Sequence, residues 1–324
     1  MNHYAISCAV TLLANLSLVA AATSADFPNR PVRMIVPFAP GGFTDIVGRI
    51  MGSQLTEAWG KPVIIDNRPG AGGTIAPAIA AQANADGYTL LFGSNSTFAV
   101  NPAVYKTLPY NVSRDLELVG LAAYSPHALI VRSGIPANTV AELVALAKKQ
   151  PGKLTFASSG TGALIHMAGE LFKYRAGIDI LHVPFKGGGP AATAMLGGEV
   201  DLMLNDPGSY LAHIKSGRLK VLAVASSRRF TLFPDLPTFA EAGIPGVESS
   251  SWAGVALPIN APRTIVRTIS DAMGRALKSP DYKERLSGLG MEALLLTTAE
   301  AGVFIKQELE KWAAVAKLAN VQLQ

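Results

Sequence analysis

Three stretches of the chain place hydroxyls, amides and bare glycines where a helix begins. They are "VPFAPGGFTD" at Val36–Asp45, "LTFASSGTGALIHMAGELF" from Leu154, and "VPFKGGGPAATAML" from Val183. In each, an apolar run enters a glycine loop and an amphipathic or alanine-rich pattern leaves it, which reads as strand, loop, helix. The first N–H groups of a helix have no intrahelical partner, and that end carries about half a positive charge. Glycine lets a ligand come close to such backbone. The chemistry on offer is the binding of an anion.

Several anions are excluded by what the loops lack. A mononucleotide loop needs Lys-Ser or Lys-Thr after its last glycine. Here Lys186 precedes its glycines. A dinucleotide loop needs G-x-G-x-x-G, but "GTGALI" and "GAGGTI" put Ile165 and Ile75 at the third glycine position. There is no G-x-S-x-G elbow. Ser158, Ser159 and His166 are near in sequence, but a triad also needs a base within reach of the hydroxyl and a third group to orient it. The serines read more simply as helix caps together with Thr161. His127, His182 and His213 look isolated, and no close His/Asp/Glu cluster suggests a metal. Capture of a small anion without covalent chemistry is left, and a carboxylate suits neutral N–H and hydroxyl donors.

The loops need a scaffold. Strand-like and helix-like runs alternate along the chain, from "VRMIV" and its helix through "PVIIDN", "DGYTLLFGS", "HALIVRSG", "LTFAS", "DILHVPF", "VDLML" and "LKVLAVAS". The expectation is an α/β fold with largely parallel sheets, whose ligands sit at the carboxyl ends of strands. At 324 residues the chain should form two lobes. "AYSPHALIVRSG" and "SSSWAGVALPINAP" are extended and flanked by proline or glycine, and are the expected crossings between them. The first lobe is expected over 26–124 plus 252–324, and the second over 125–251.

Composition agrees with a globular binder. The chain is 49% hydrophobic and 16% charged, against a usual charged share of about 25%. Its net charge of +5 is scattered, with no basic stripe for nucleic acid. The single cysteine, Cys8, lies in "CAVTLLANLSLVAAATSA". That stretch reads as a secretory signal peptide cleaved after Ala25, with Ala22 as second choice, although its n-region lacks Lys and Arg. The mature chain then has no cysteine, which suits an oxidising compartment.

Eight stretches in order complete a pattern: "PVRMIVPFAPGGFTD", "VIIDNRPGAGGTIA", "DGYTLLFGS", "FASSGTGALIHMAGELF", "HVPFKGGGPAATAMLGGEVDLML", "SGRLKVLAVASSRR", "FPDLPTFAEAGIPG" and "WAGVALPINAP". Together they resemble the Bug-type periplasmic solute-binding proteins of the tripartite tricarboxylate transporter system, over nearly the whole mature chain. The resemblance implies a two-lobed type II periplasmic binding fold, no catalysis and no cofactor. It also implies a small carboxylate ligand, a membrane permease as partner and a periplasmic location; a monomer is expected. Carried over by position, the first lobe contributes Phe38, Gly41, Gly42, Phe43, Thr44 and Asp45, then Ser94 and Asn95 with Ser96 beside them. The second contributes Ser158, Ser159, Gly160, Thr161, Gly162 and His166. The loop from Lys186 to Gly188 joins them, as do Asn205 and Asp206 at the end of "VDLML". Phe43, Asn95 and Asp206 are expected to choose among acids. Asp45 is expected to order its own loop or to take an amine, hydroxyl or water, and the "PGAGG" glycines to make a tight turn. The competing readings are a periplasmic sensor subunit for the same acids and a secreted Ser-dependent hydrolase.

Overall fold

The structure, a computed structural model, describes residues 27–296 and 298–323. The expected signal peptide, 1–25, lies outside them. Six strands form one sheet: Val32–Val36 (β1), Val63–Asn67 (β2), Thr89–Ser94 (β3), Leu116–Pro126 (β4), Ser250–Pro258 (β10) and Glu292–Ala293 (β11), in the order β11-β4-β10-β3-β1-β2. Five form the other: Ala128–Arg132 (β5), Thr155–Ser158 (β6), Leu181–Pro184 (β7), Leu202–Asn205 (β8) and Leu219–Val224 (β9), in the order β7-β6-β8-β5-β9. Among the described residues, the α-helices of five residues or more are Phe43–Trp59 (α1), Ile75–Ala81 (α2), Val140–Lys149 (α3), Leu164–Ala176 (α4), Gly188–Gly197 (α5), Leu211–Lys215 (α6), Arg263–Lys278 (α7), Pro280–Ser287 (α8) and Thr298–Leu318 (α9).

The local patterns explain these elements. β1 is almost wholly buried, as a strand covered on both faces must be. Its one polar residue, Arg33, bonds Asp66 on the neighbouring β2. α1 buries Val47, Ile50, Met51 and Leu55 as one apolar stripe, with Ile46 at its half-buried edge. α5 starts at Gly188, and Pro190 is tolerated within its first turn, which needs no N–H from it.

The sheets are less parallel than expected. β1–β2, β1–β3, β6–β7 and β6–β8 are parallel, but β10 runs antiparallel to both β3 and β4, and β5 antiparallel to both β8 and β9. The cause is the double crossing. β4 leaves the first sheet at Pro126 and β5 enters the second at Ala128, while β10 brings the chain back beside β4. A strand that returns beside the one that left must run the other way. One apolar core spans the lobes: Leu164, Met167 and Leu171 of α4 pack with Trp252 of β10 and Trp312 of α9.

Candidate functional site

Three helix N-termini converge on one narrow cleft, with about 30 Å³ of water-accessible space. α1 brings Phe43 and Thr44, with Gly42 before them; α4 brings Leu164 and Ile165; α5 brings Gly188. Phe38 ends the strand side, Ser94, Asn95 and Ser96 follow β3, and Ser159, Asn205 and Ser251 complete the lining. None of the three N-cap residues, Gly42, Ala163 and Gly187, supplies a side-chain cap, although Ser96 Oγ accepts from the Leu164 N–H that opens α4. The expected capping of α4 by Ser158, Ser159 and Thr161 therefore does not occur. Uncapped helix ends carry unsatisfied N–H groups and partial positive charge. No Lys, Arg, Asp, Glu or His lines the cleft. Ser94 Oγ, which faces this lining, is buried without a hydrogen-bond partner.

Several expected contact residues instead build the walls. Asp45 Oδ2 accepts from Gly41 N–H at 3.0 Å and Arg49 at 3.1 Å, and Oδ1 accepts from Asn67 at 2.9 Å. Burial alone would raise its pKa, but these hydrogen bonds and the Arg49 charge outweigh it and hold the carboxyl below its ordinary value. Asp45 thus orders the loop, and Gly41 serves the same bond. Asn95 has its carboxamide in use: Nδ2 donates to Ser250 O and Glu308 Oε2, both at 3.1 Å, and Oδ1 accepts from Trp252 N–H at 2.6 Å. Glu308 Oε2 also accepts from the indoles of Trp252 and Trp312. Asn95 staples the cleft floor through these bonds while lining the cleft. Asn205 Nδ2 donates to Tyr210 Oη at 2.6 Å, and that hydroxyl donates to Gly188 O at 3.1 Å.

On the other wall Ser158 is fully buried, accepts from Gly160 N–H at 3.1 Å and lies 2.6 Å from His182 Nε2. It does not reach the cleft. His166 Nδ1 accepts from Gly162 N–H at 3.1 Å, and its ring stacks on His182 with centroids 3.9 Å apart. Burial, helped by the Lys173 charge, lowers the His166 pKa to about 4. Burial, then His166 and Lys173, lowers that of His182 to about 3. The pair is therefore neutral. Gly160, Thr161, Gly162 and His166 shape the loop and do not line the cleft. Neither does Asp206, whose Oδ2 accepts from Ser209 N–H and Oγ while Oδ1 is buried without a partner. Burial pushes its pKa up to about 7.

The comparisons place this geometry. The model of the tripartite tricarboxylate transporter family receptor matches residues 47–321. Protein BugT of Bordetella pertussis (strain Tohama I) is 37% identical over 308 residues, covering 94% of each chain. The chain belongs to this receptor family. Two solved structures superpose closely. An R. palustris protein with adipate has a TM-score of 0.89 at 33% identity, with 92% of this chain and all of the other covered. MatC from Rhodopseudomonas palustris with bound malate has a TM-score of 0.85 at 32% identity, covering 89% and 99%. The mixed α/β, two-lobed fold is that of solute-binding proteins of this family.

In this receptor the lobes meet at the mouth of the cleft. Ala39 N–H donates to Lys186 O at 2.9 Å, Tyr105 Oη to Thr161 O at 3.0 Å, and Leu164 N–H to Ser96 Oγ at 3.0 Å. Lys186 contributes its carbonyl here, and its side chain is exposed. The glycines are needed for this approach. A Cβ at Gly42 would lie 3.3 Å from Gly188 N, and one at Gly189 only 2.1 Å from Pro40 O. Gly72 of "PGAGG" would strike Thr161 O at 2.3 Å. The turn reading of that motif is incomplete, since Gly72 also touches the opposite lobe. Leu164, Ile165 and Ser251 are lining residues that the motif reading did not name. Only Ser251 carried a signal, as a hydroxyl at the start of an expected crossing.

Proposed function

We propose that this receptor captures a small organic carboxylate between its lobes and delivers it unchanged to the membrane permease of a tripartite tricarboxylate transporter. The observation that carries the reading is the convergence of three helix N-termini, none capped by its own N-cap residue, on a cleft that no charged side chain among the described residues lines. Each such end adds roughly 0.3–1 kcal/mol to anion binding, and up to about 2 when partly buried. Three ends and several hydroxyls suit micromolar affinity, about −8 kcal/mol. The adipate and malate of the related structures support the ligand class. The carboxylate meets the first turns of α1, α4 and α5 and the hydroxyls of Thr44, Ser94 and Ser159, while Phe38 and Phe43 face its carbon body. The receptor works as a monomer in the periplasm after residues 1–25 are removed, and turns over no ligand.

The test is calorimetry with a panel of mono-, di- and tricarboxylates and their methyl esters. The best acid binds with micromolar affinity, and its ester far more weakly, because charge-assisted hydrogen bonds are about twice as strong as neutral ones. At a hundredfold excess over Kd the acid adds about 2.7 kcal/mol of stability. Equal binding of acid and ester, or product formed from the bound acid, refutes the reading.

A further inference from the structure

His127 joins the two crossing segments directly beneath the cleft. It is fully buried between β4 and β5. Its backbone N–H donates to Ser249 O at 3.0 Å, and its Nδ1 and Nε2 lie 2.9 Å from Ser249 Oγ and 2.8 Å from Ser251 Oγ. Burial, and then the Lys311 charge, lowers its pKa to about 3. The ring is therefore neutral, with one N–H and one bare nitrogen. One serine must donate to it and the other must accept.

The two tautomers present different faces to a ligand. With the proton on Nδ1, Ser251 spends its own O–H on Nε2 and turns lone pairs toward the cleft. With the proton on Nε2, Ser251 accepts from the ring and its O–H is free, while Ser249 donates to Nδ1. Ser251 lines the cleft. Ser125, its partner across β4 and β10, has a buried hydroxyl with no hydrogen bond, so it does not compete for the Ser251 proton. An anion repels lone pairs and takes a donor. Resting on the carboxylate reading above, we infer that His127 is a positioning residue: its Nε2–H donates to Ser251 Oγ and aims the Ser251 hydroxyl proton at the bound carboxylate. The hinge and the ligand then share one chain of hydrogen bonds, so closure and anion binding reinforce each other.

The test combines nitrogen NMR of the wild-type histidines, assigned through bonds, with calorimetry on variants and the best acid of the panel. In the complex, His127 carries its proton on Nε2. Ser251→Ala weakens binding about tenfold to a hundredfold, the effect of a lost hydrogen bond to a charged group. His127→Asn, whose amide reaches only the Nδ1 position, weakens it as much, and adding Ser251→Ala to it costs nothing further. His127→Gln restores a donor near the Nε2 position and keeps affinity within about threefold of wild type, a loss no larger than about half the smallest expected for a missing bond. A proton on Nδ1 in the complex, or an unchanged affinity in Ser251→Ala, overturns the inference and leaves the carboxylate reading standing. A wild type that binds no acid overturns both. The NMR result needs no variant to fold.

Discussion

Asp45 and Asp206 stand on opposite lobes, each buried beside the same cleft and each absent from its lining. Their environments differ in their partners and in depth. Asp45 has both oxygens engaged, by Gly41, Arg49 and Asn67. Asp206 has one oxygen engaged by Ser209 and one without a partner. Burial raises the pKa of both, but only Asp45 has donors that include a charged one, Arg49, and these reverse the effect. A charged partner and shallower burial decide that this carboxyl stays charged. The first lobe thus locks its loop with a full charge turned away from the cleft. The second locks its loops with neutral groups, His166, His182 and a carboxyl whose pKa lies near neutrality. Neither lobe places a fixed negative charge in the lining, which a site for carboxylates requires.

Removing the charged lock has the largest expected effect. Asp45→Ala strips acceptors from the Gly41 N–H and the Asn67 amide, and lowers stability by about 2–4 kcal/mol at pH 7. The melting temperature then drops by roughly 2–4 °C per kcal/mol. The folded pKa is lowered, so this contribution is present above the ordinary carboxylate pKa and is lost as pH falls through the folded value. The gap between variant and wild type should therefore shrink in acid. A loss under about 0.5 kcal/mol, the usual surface effect, would mean that the lock does not hold the loop.

The opposite lobe answers with the opposite sign. The folded pKa of Asp206 is raised to about 7, so its contribution is fully present below the unfolded pKa and is lost as pH rises toward 7. Asp206→Asn keeps an acceptor for Ser209 and removes the titration. It should melt above wild type at pH 8 by about 1–3 kcal/mol, and the gap should close near pH 4. Paired melts at the two pH values test this. A variant that melts below wild type at pH 8, with the deficit shrinking in acid, would show that Asp206 is charged and partnered, like Asp45.

How the two walls meet is tested by a single carbon. Gly189 lies in the first turn of α5, where alanine is favoured over glycine by about 0.5–1 kcal/mol. Its Cβ would nevertheless sit 2.1 Å from Pro40 O across the cleft mouth. Gly189→Ala should leave the unliganded protein as stable as wild type while weakening ligand binding roughly tenfold, about 1.4 kcal/mol, by opposing closure. Small-angle scattering should show a particle that no longer contracts with ligand. Unchanged affinity would mean that the lobes need not close this far.

Local patterns made much of this legible. Strand, glycine loop and helix are set by neighbours in sequence, so all three helix starts could be found, and with them Phe38, Gly42, Phe43, Thr44 and Ser159. Roles that depend on distant partners were hidden. Asn95 looked like a free amide, but its partner Glu308 is 213 residues away. His127 looked isolated because Ser249 and Ser251 reach it only after the chain has crossed twice. The antiparallel pairing of β10 has the same origin. Spacing identifies a donor, but only the fold shows whether it is already in use.

The smallest expected effect separates a residue's backbone from its side chain. Lys186 was expected at the ligand, and it is the only cation in the three glycine loops that begin α1, α4 and α5. Its carbonyl holds Ala39 N–H across the seam, a bond that any residue supplies. Its exposed ammonium lies outside the lining. Lys186→Ala should therefore keep the seam and change affinity by less than about twofold, ~0.4 kcal/mol, in the range of screened surface charges. What remains is long-range attraction, which acts on association more than on dissociation. Stopped-flow kinetics at two salt concentrations can read it. The variant should associate slightly more slowly than wild type at low salt and equally fast at 1 M, where screening acts over about 3 Å. A tenfold loss that survives high salt would put the ammonium on the ligand, and the second lobe would then match the first in using a full charge.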